Sequence, residues 1–420
     1  MQTRLIQSIL EQDVGKEADQ ILRSCVHCGF CTATCPTYQV MGDELDSPRG
    51  RIYLIKQMLE GEPVTELTRT HLDRCLQCRS CETTCPSGVE YLHLLDIGQS
   101  ILSQSHPESL LVRLKRKILF SVMVSNSILA LSLKLARTFS FLLPNKWHQK
   151  LNRGPEFLSD TIRSTPAGRG DKVMMLDPCV QSALRPSIDE ACELVLNNLD
   201  YETVKVSGSG CCGAIHYHGG ERKAAMAQMK KNMDVWCDAY GQGASHLLAT
   251  SSGCLAFLKE YAHIFRNDPD YGDKATQVTQ IATDASELIG EVQVDTSQQD
   301  TREKIAFHAP CTLQHSLKLA SQVEMHLSRI ASISTPEDAH LCCGSAGTYS
   351  IRYKEIASEL RKRKLKALEV GSPEKIVTAN IGCLTHMQGE SYLPVVHWLE
   401  YLAEHIQQGK LELHRAKSNV

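Results

Sequence analysis

Two cysteine runs of identical form stand near the N-terminus: Cys25-x-x-Cys28-x-x-Cys31-x-x-x-Cys35-Pro36 and Cys75-x-x-Cys78-x-x-Cys81-x-x-x-Cys85-Pro86. Three thiols at steps of three let one loop turn around a cubane, so that each meets a different iron of a [4Fe–4S] cluster. In two-cluster ferredoxins the cysteine before the proline ligates the other cluster. The spacing therefore predicts Cys25, Cys28, Cys31 and Cys85 on one cluster and Cys75, Cys78, Cys81 and Cys35 on the second. Such a chain is cross-stitched.

Zinc and disulfides are the competing uses of these thiols. Zinc ribbons employ paired C-x-x-C knuckles separated by a longer stretch, not a three-step triplet with a fourth Cys-Pro. Disulfides suit an oxidising compartment, but Met1-Gln2-Thr3-Arg4-Leu5-Ile6 runs into Glu11, Gln12 and Asp13 without an apolar signal core. A reducing cytosol is the expectation, and disulfides are rare there.

With 420 residues, 42% of them hydrophobic, the chain can build two or three domains with real cores. A net charge of −3 and 5% aromatics argue against nucleic acid, which calls for basic grooves and exposed stacking rings. The anomaly is 18 cysteines, for which metal or redox chemistry is the usual explanation.

Residues 1–24 read as one amphipathic helix leading into the first cysteine loop. Between the motifs, Ser47-Pro48 has the form of an N-cap with proline at N1, and Gly61 with Pro63 closes the helix that follows. The cluster module is thus expected to be helical. Ile118 to Leu133 carries no charge and is flanked by Arg113, Lys115, Arg116, Lys117, Lys134 and Arg137. At sixteen positions interrupted by serines it is too short and polar to span a bilayer, which wants about twenty apolar residues. Its first reading is a helix buried against the protein, its second an interfacial helix with basic flanks. Asn152 to Gly170 has the composition of a linker.

From residue 171 the sequence repeats. Lys172-Val-Met-Met-Leu-Asp-Pro-Cys179 matches Lys304-Ile-Ala-Phe-His-Ala-Pro-Cys311, Cys211-Cys212-Gly213 matches Cys342-Cys343-Gly344, and Ser251-Ser-Gly-Cys254 matches Asn380-Ile-Gly-Cys383. Each copy reads as strand, helix, Cys-Cys-Gly loop, long amphipathic helix and strand, which predicts a pair of α/β domains. The expected fold is multidomain, α and α/β. It comprises a helical two-cluster ferredoxin domain over 1–105, a helical linker segment over 106–170, and repeated domains over 171–300 and 301–420. Gly208-Ser-Gly210-Cys-Cys-Gly213 satisfies G-x-G-x-x-G, yet the second copy keeps Cys-Cys-Gly without the first two glycines. The cysteines are the shared feature, so no nucleotide site is assigned to this chain.

Eight further cysteines fall on the repeated frame: Cys179, Cys211, Cys212 and Cys254, then Cys311, Cys342, Cys343 and Cys383. Cys192 and Cys237 lie outside it, as small apolar residues on helices. The arrangement resembles the cysteine-rich CCG domain of heterodisulfide reductase subunits, which the resemblance implies would surround a non-cubane iron–sulfur cluster. The pattern here is incomplete, since Ser251 and Asn380 stand where a fifth cysteine would begin the terminal motif. Four thiols per copy still match a cubane by count, and so do an acceptor-docking pocket or a structural remnant; the eight thiols are carried as an open third site. His216, His218 and His340 beside these loops are read as hydrogen-bonding residues in preference to ligands.

The whole layout resembles the iron–sulfur subunit of bacterial glycolate oxidase. The segments that carry the resemblance are Cys25-Val-His-Cys-Gly-Phe-Cys-Thr-Ala-Thr-Cys-Pro-Thr37, Asp46-Ser-Pro-Arg-Gly-Arg-Ile52 and Cys75-Leu-Gln-Cys-Arg-Ser-Cys-Glu-Thr-Thr-Cys-Pro-Ser87. The resemblance implies an electron-transfer subunit with two [4Fe–4S] clusters and no catalytic residue of its own. Its partners would be FAD-binding subunits that oxidise glycolate, and its electrons would go to a quinone or other membrane acceptor. It also implies a cytoplasmic location, peripherally associated with the inner face of the cell membrane. The alternatives are the iron–sulfur subunit of anaerobic glycerol-3-phosphate dehydrogenase, a lactate oxidation relative, and a heterodisulfide-reductase-like thiol enzyme.

Overall fold

A computed structural model describes residues 1–138, 171–294 and 302–416. Their contacts gather into two compact units. The first is Met1–Lys117 with His340–Lys364, the second Ile118–Ala339 with Leu365–Val420.

The first unit is helical around α1 (Asp13–Ser24), α2 (Pro48–Leu59) and α3 (Tyr91–Ser105). Their apolar stripes bury Ile21, Leu22, Ile55, Leu59, Leu94 and Leu95 in one core. The start of α2 is set as the sequence predicts: the Ser47 hydroxyl accepts the Gly50 N–H at 3.1 Å and Pro48 occupies the first turn. The single helix expected over 1–24 is divided into Gln7–Leu10 and α1. The chain folds back so tightly there that a Cβ on Gly15 would lie 1.9 Å from the Ile9 carbonyl oxygen, and glycine permits the break. Residues 340–364 are held in this unit by Arg352, 3.4 Å from Asp73 and 3.8 Å from Glu108, and by Arg363, which donates to the Gln39 carbonyl.

Two helices follow, α4 (Leu110–Val124) and α5 (Asn126–Thr138). The expectation of one buried helix over 118–133 is not met. The two are bent by 89° at the break about Ser125, a residue whose hydroxyl competes for backbone partners. Phe120 is buried against the second unit's core beside His216, while Ile118, Ile128, Leu131 and Leu135 are exposed. No single helix among the described residues is long and apolar enough to cross a membrane. The linker expected over Asn152–Gly170 lies outside the described residues.

The second unit holds two four-stranded parallel sheets. One comprises β1 (Lys172–Met175), β2 (Glu202–Lys205), β3 (Ala244–Leu248) and β4 (Ala282–Thr283), in the order β2-β1-β3-β4. After the strand β5 (Ile289–Val294) comes the other, of β6 (Lys304–His308), β7 (Ser332–Ser334), β8 (Lys375–Thr378) and β9 (Val395–His397), in the order β7-β6-β8-β9. The same topology twice is the structural form of the sequence repeat. β10 (Leu411–Arg415) pairs antiparallel with β5.

The copies share a core drawn from Val173, Met175 and Leu196 in one and Ile305, Phe307 and Trp398 in the other. Between α6 (Ser187–Asn198) and the C-terminal helix Trp398–Gln407 lies a buried ion pair, Arg185 to Glu400 at 2.8 Å, with the Ser187 hydroxyl donating to the same carboxylate. The long helix of the first copy, α7 (Arg222–Gly241), carries the fully buried Met229, Asn232 and Trp236.

Candidate metal centre

Each cysteine triplet turns through left-handed backbone at alternate residues: His27 at φ 60° and Gly29 at 88° in the first loop, Gln77 at 54° and Arg79 at 61° in the second. This curls three thiols around a hollow, as the three-step spacing predicts. Gly29 has a second reason to be glycine, since a Cβ there would meet the Arg49 guanidinium at 2.5 Å.

One hollow is lined by Cys25, Cys28, Cys31 and Cys85, the other by Cys35, Cys75, Cys78 and Cys81. The fourth thiol of each comes from the opposite motif, because Cys35 follows and Cys85 caps a short helix, Phe30–Ala33 and Ser80–Thr84, that carries the chain across. Cys81, Pro48 and Tyr91 border both hollows. Burial pushes the Cys31 thiol up to about 11 and raises Cys75 and Cys81, so deprotonation there calls for a strong Lewis acid. Four thiol donors around each hollow fit a [4Fe–4S] cluster.

The sequence reading assigned no role to the polar group that backs the second hollow. Arg51, fully buried on α2, donates to the His71 carbonyl at 2.7 Å and the Thr37 hydroxyl at 3.0 Å, and lies 3.3 Å from the buried Asp46 carboxylate. Asp46 also meets His71 at 3.1 Å and Arg74 at 3.0 Å. Burial opposes the Arg51 charge, yet Cys75, Tyr91, Cys35 and Asp46 together hold it above its ordinary value. The Cys75 sulfur accepts from the Tyr91 hydroxyl at 3.6 Å and from the Gln77 N–H at 3.4 Å. A signal was available: Arg51 shares its helical turn with Ile52, Leu54 and Ile55, all buried.

In the first repeat the structure brings four thiols together. Cys179 follows β1, Cys211 and Cys212 occupy the loop before Ala214–His218, and Cys254 lies in α8 (Ser252–Leu258). They form a hydrogen-bonded row, Cys179 to Cys211 to Cys212 to Cys254. Hydrogen bonds from the flanking Cys179 and Cys212 thiols lower Cys211, as do the Gly213 N–H and the nearby His216. Tyr261 donates to the Cys212 carbonyl at 2.6 Å, and Asn232 donates to the Cys211 carbonyl at 2.8 Å while accepting the Gly210 N–H at 3.1 Å. The glycine loop is therefore clamped to α7. His218 packs edge-on against Tyr217 and Phe257.

In the second repeat Cys311 caps the helical turn Thr312–Ser316 and Cys383 lies in the helix Ile381–Gln388, both in the second unit. Cys342 and Cys343 lie in the first unit with His340, and the Cys342 sulfur accepts the Gly344 N–H at 3.4 Å. One of the two positions lacking a fifth cysteine has another task. Asn380 caps Ile381–Gln388 by accepting the Gly382 N–H at 2.8 Å, and its amide donates to Ser252, whose hydroxyl is 2.8 Å from that of Thr312. Cys192 is fully buried and Cys237 half-buried, both on helices.

Comparison with known proteins agrees with this layout. A "4Fe-4S dicluster domain" family matches residues 21–89, and a "Cysteine-rich domain" family matches 173–259 and 305–388. The glycolate oxidase iron-sulfur subunit of Escherichia coli K12 is 44% identical, the match covering 97% of this chain and 100% of that protein. A probable glycolate oxidase iron-sulfur subunit of Bacillus subtilis 168 is 30% identical over 87% of this chain and 88% of its own length. Lactate utilization protein A of Geobacillus thermodenitrificans is 26% identical, over 52% of this chain and 90% of that protein. With cysteine modules, repeat and near-full-length identity in agreement, the chain belongs to the family of glycolate oxidase iron–sulfur subunits.

Proposed function

We propose that this chain carries two [4Fe–4S] clusters, on Cys25, Cys28, Cys31 and Cys85 and on Cys75, Cys78, Cys81 and Cys35. In this reading it drains electrons from FAD-binding partner subunits that oxidise glycolate to glyoxylate and delivers them to a membrane quinone. The observation that carries the reading is the pair of adjoining hollows, each lined by the full thiol triplet of one motif and by the Cys-Pro cysteine of the other, with Cys81 bordering both. Bound there, the clusters supply one-electron redox chemistry.

The chain's own residues prepare the site for charge. Arg51 offsets negative charge on the thiolates, and the hydrogen bonds from Tyr91 and Gln77 to the Cys75 sulfur favour the more reduced state. Cys25, Cys35 and Cys81 are withdrawn from water together with Arg51, Asp46 and Tyr91, whereas Cys28 is exposed. A flavin takes a hydride, two electrons together, so a single-electron carrier beside it is the complementary part. Substrate choice belongs to the flavin subunit in this scheme.

The test is the assembled complex carrying Cys78→Ser. Glycolate should still reduce the partner flavin, while quinone reduction should fall to background. Loss of flavin reduction in an intact complex would place this chain in the substrate site and sink the proposal.

A further inference from the structure

We propose that α4 and α5 are a lipid-docking surface that seats the chain on an anionic phospholipid bilayer. Leu110, Leu111 and Leu114 are 80%, 72% and 55% exposed, and Ile118 continues their stripe one turn on. Positions 110, 114 and 118 follow at steps of four with 111 beside them, so these side chains share one face of α4. Lys115 falls on one edge of that face and Lys117 on the other, both exposed. Phe120 points the other way and is buried in the protein. On α5, Ile128, Leu131 and Leu135 repeat the device at steps of three and four, with Lys134 exposed among them.

Charge identifies the occupant. From Leu110 to Thr138 there is no Asp or Glu, while Arg113, Lys115, Arg116, Lys117, Lys134 and Arg137 are basic, in a chain whose net charge is −3. Arg116 is engaged by Glu108. An apolar stripe with lysines on both margins matches an interface where acyl chains lie below anionic headgroups, the lysines reaching up to the phosphates. A second copy would oppose one basic face with another and is disfavoured. Contiguous apolar exposure of this kind marks an interaction site, and lysines on both margins of the stripe suit helices that lie on the bilayer.

Flotation of the full-length, cluster-loaded chain with vesicles tests this without glycolate or any partner, so its outcome is separate from that of the electron-transfer reading. The wild type should bind phosphatidylcholine vesicles containing phosphatidylglycerol and bind pure phosphatidylcholine far less. Leu111→Asp with Leu114→Asp should lower the partition coefficient about tenfold or more, with the visible cluster absorption unchanged. Arg113→Glu with Lys115→Glu, which alters only exposed side chains, should weaken binding to the phosphatidylglycerol vesicles by a similar factor. Failure of the wild type to float with phosphatidylglycerol vesicles would overturn the proposal. So would double variants that float as the wild type does, or that lose the flavin subunits from the complex while keeping their lipid binding.

Discussion

Arg51 is the residue whose removal should do most damage beyond the cysteines. It is a buried cation meeting a buried carboxylate, two oxygen acceptors and the electrostatic field of thiols from both motifs. Arg51→Leu leaves Asp46 short of a partner, and breaking such a buried pair costs about 3–5 kcal/mol, readable as a lowered midpoint in anaerobic chemical denaturation. The lost positive charge should also make the second-motif cluster harder to reduce, and a paramagnetic resonance redox titration would show a more negative potential. An unchanged potential would leave Arg51 a structural role only. Cys35→Ser should remove the resonance signal of the cluster on Cys75, Cys78 and Cys81 and spare the other, the reverse of what a motif-by-motif arrangement gives. The thiols could be read from spacing because cluster geometry is imposed on a local loop. Arg51, despite its apolar helical neighbours, and Asp46 were passed over, because a charge in a helical pattern ordinarily faces water, and their partners Thr37, His71 and Arg74 are scattered along the chain.

Elements with strong local signals were legible. The Ser47-Pro48 helix start, the strands β1, β3, β6 and β8 and the two long repeat helices all lie close to where pattern and capping place them. Failures occur where long-range packing decides. The break before α1 depends on Gly15 meeting Ile9, and the uncharged run 118–133 bends at Ser125–Asn126 instead of burying itself. The pairing of the repeats was legible as an expectation of two related domains, but its polar seam was not. In that seam His397, fully buried beside Glu400, is pushed down to about 4 by burial, against an ordinary 6.5. The unfolded chain then binds the extra proton first, so this group's contribution is present above pH 6.5 and is lost as pH falls toward 4. The full effect is about 3 kcal/mol. Asp189 and Asp284, raised by burial to about 6, slope the opposite way between pH 3.8 and 6. The His397 share is therefore read as a difference: denaturation midpoints of wild type and His397→Asn should differ in their acid-side slope, with the wild type losing more. Parallel pH profiles would contradict a neutral buried His397.

At the scale of the whole molecule, a linear reading divides the chain into consecutive segments, whereas the compact units interleave. Residues 340–364 belong with the N-terminal module through Arg352 and Asp73, 279 positions apart in sequence. No local periodicity encodes such a pairing. What did carry over from sequence is the presence of two kinds of cysteine-rich module, and in the function proposed above the cluster chemistry resides in the first of them. Iron and acid-labile sulfide per anaerobically isolated chain test it most directly. About eight of each are expected, from two clusters of four. Close to twelve would put a further cluster on the Cys179–Cys211–Cys212–Cys254 row, and about four irons with bound zinc would contradict the paired-cluster module itself.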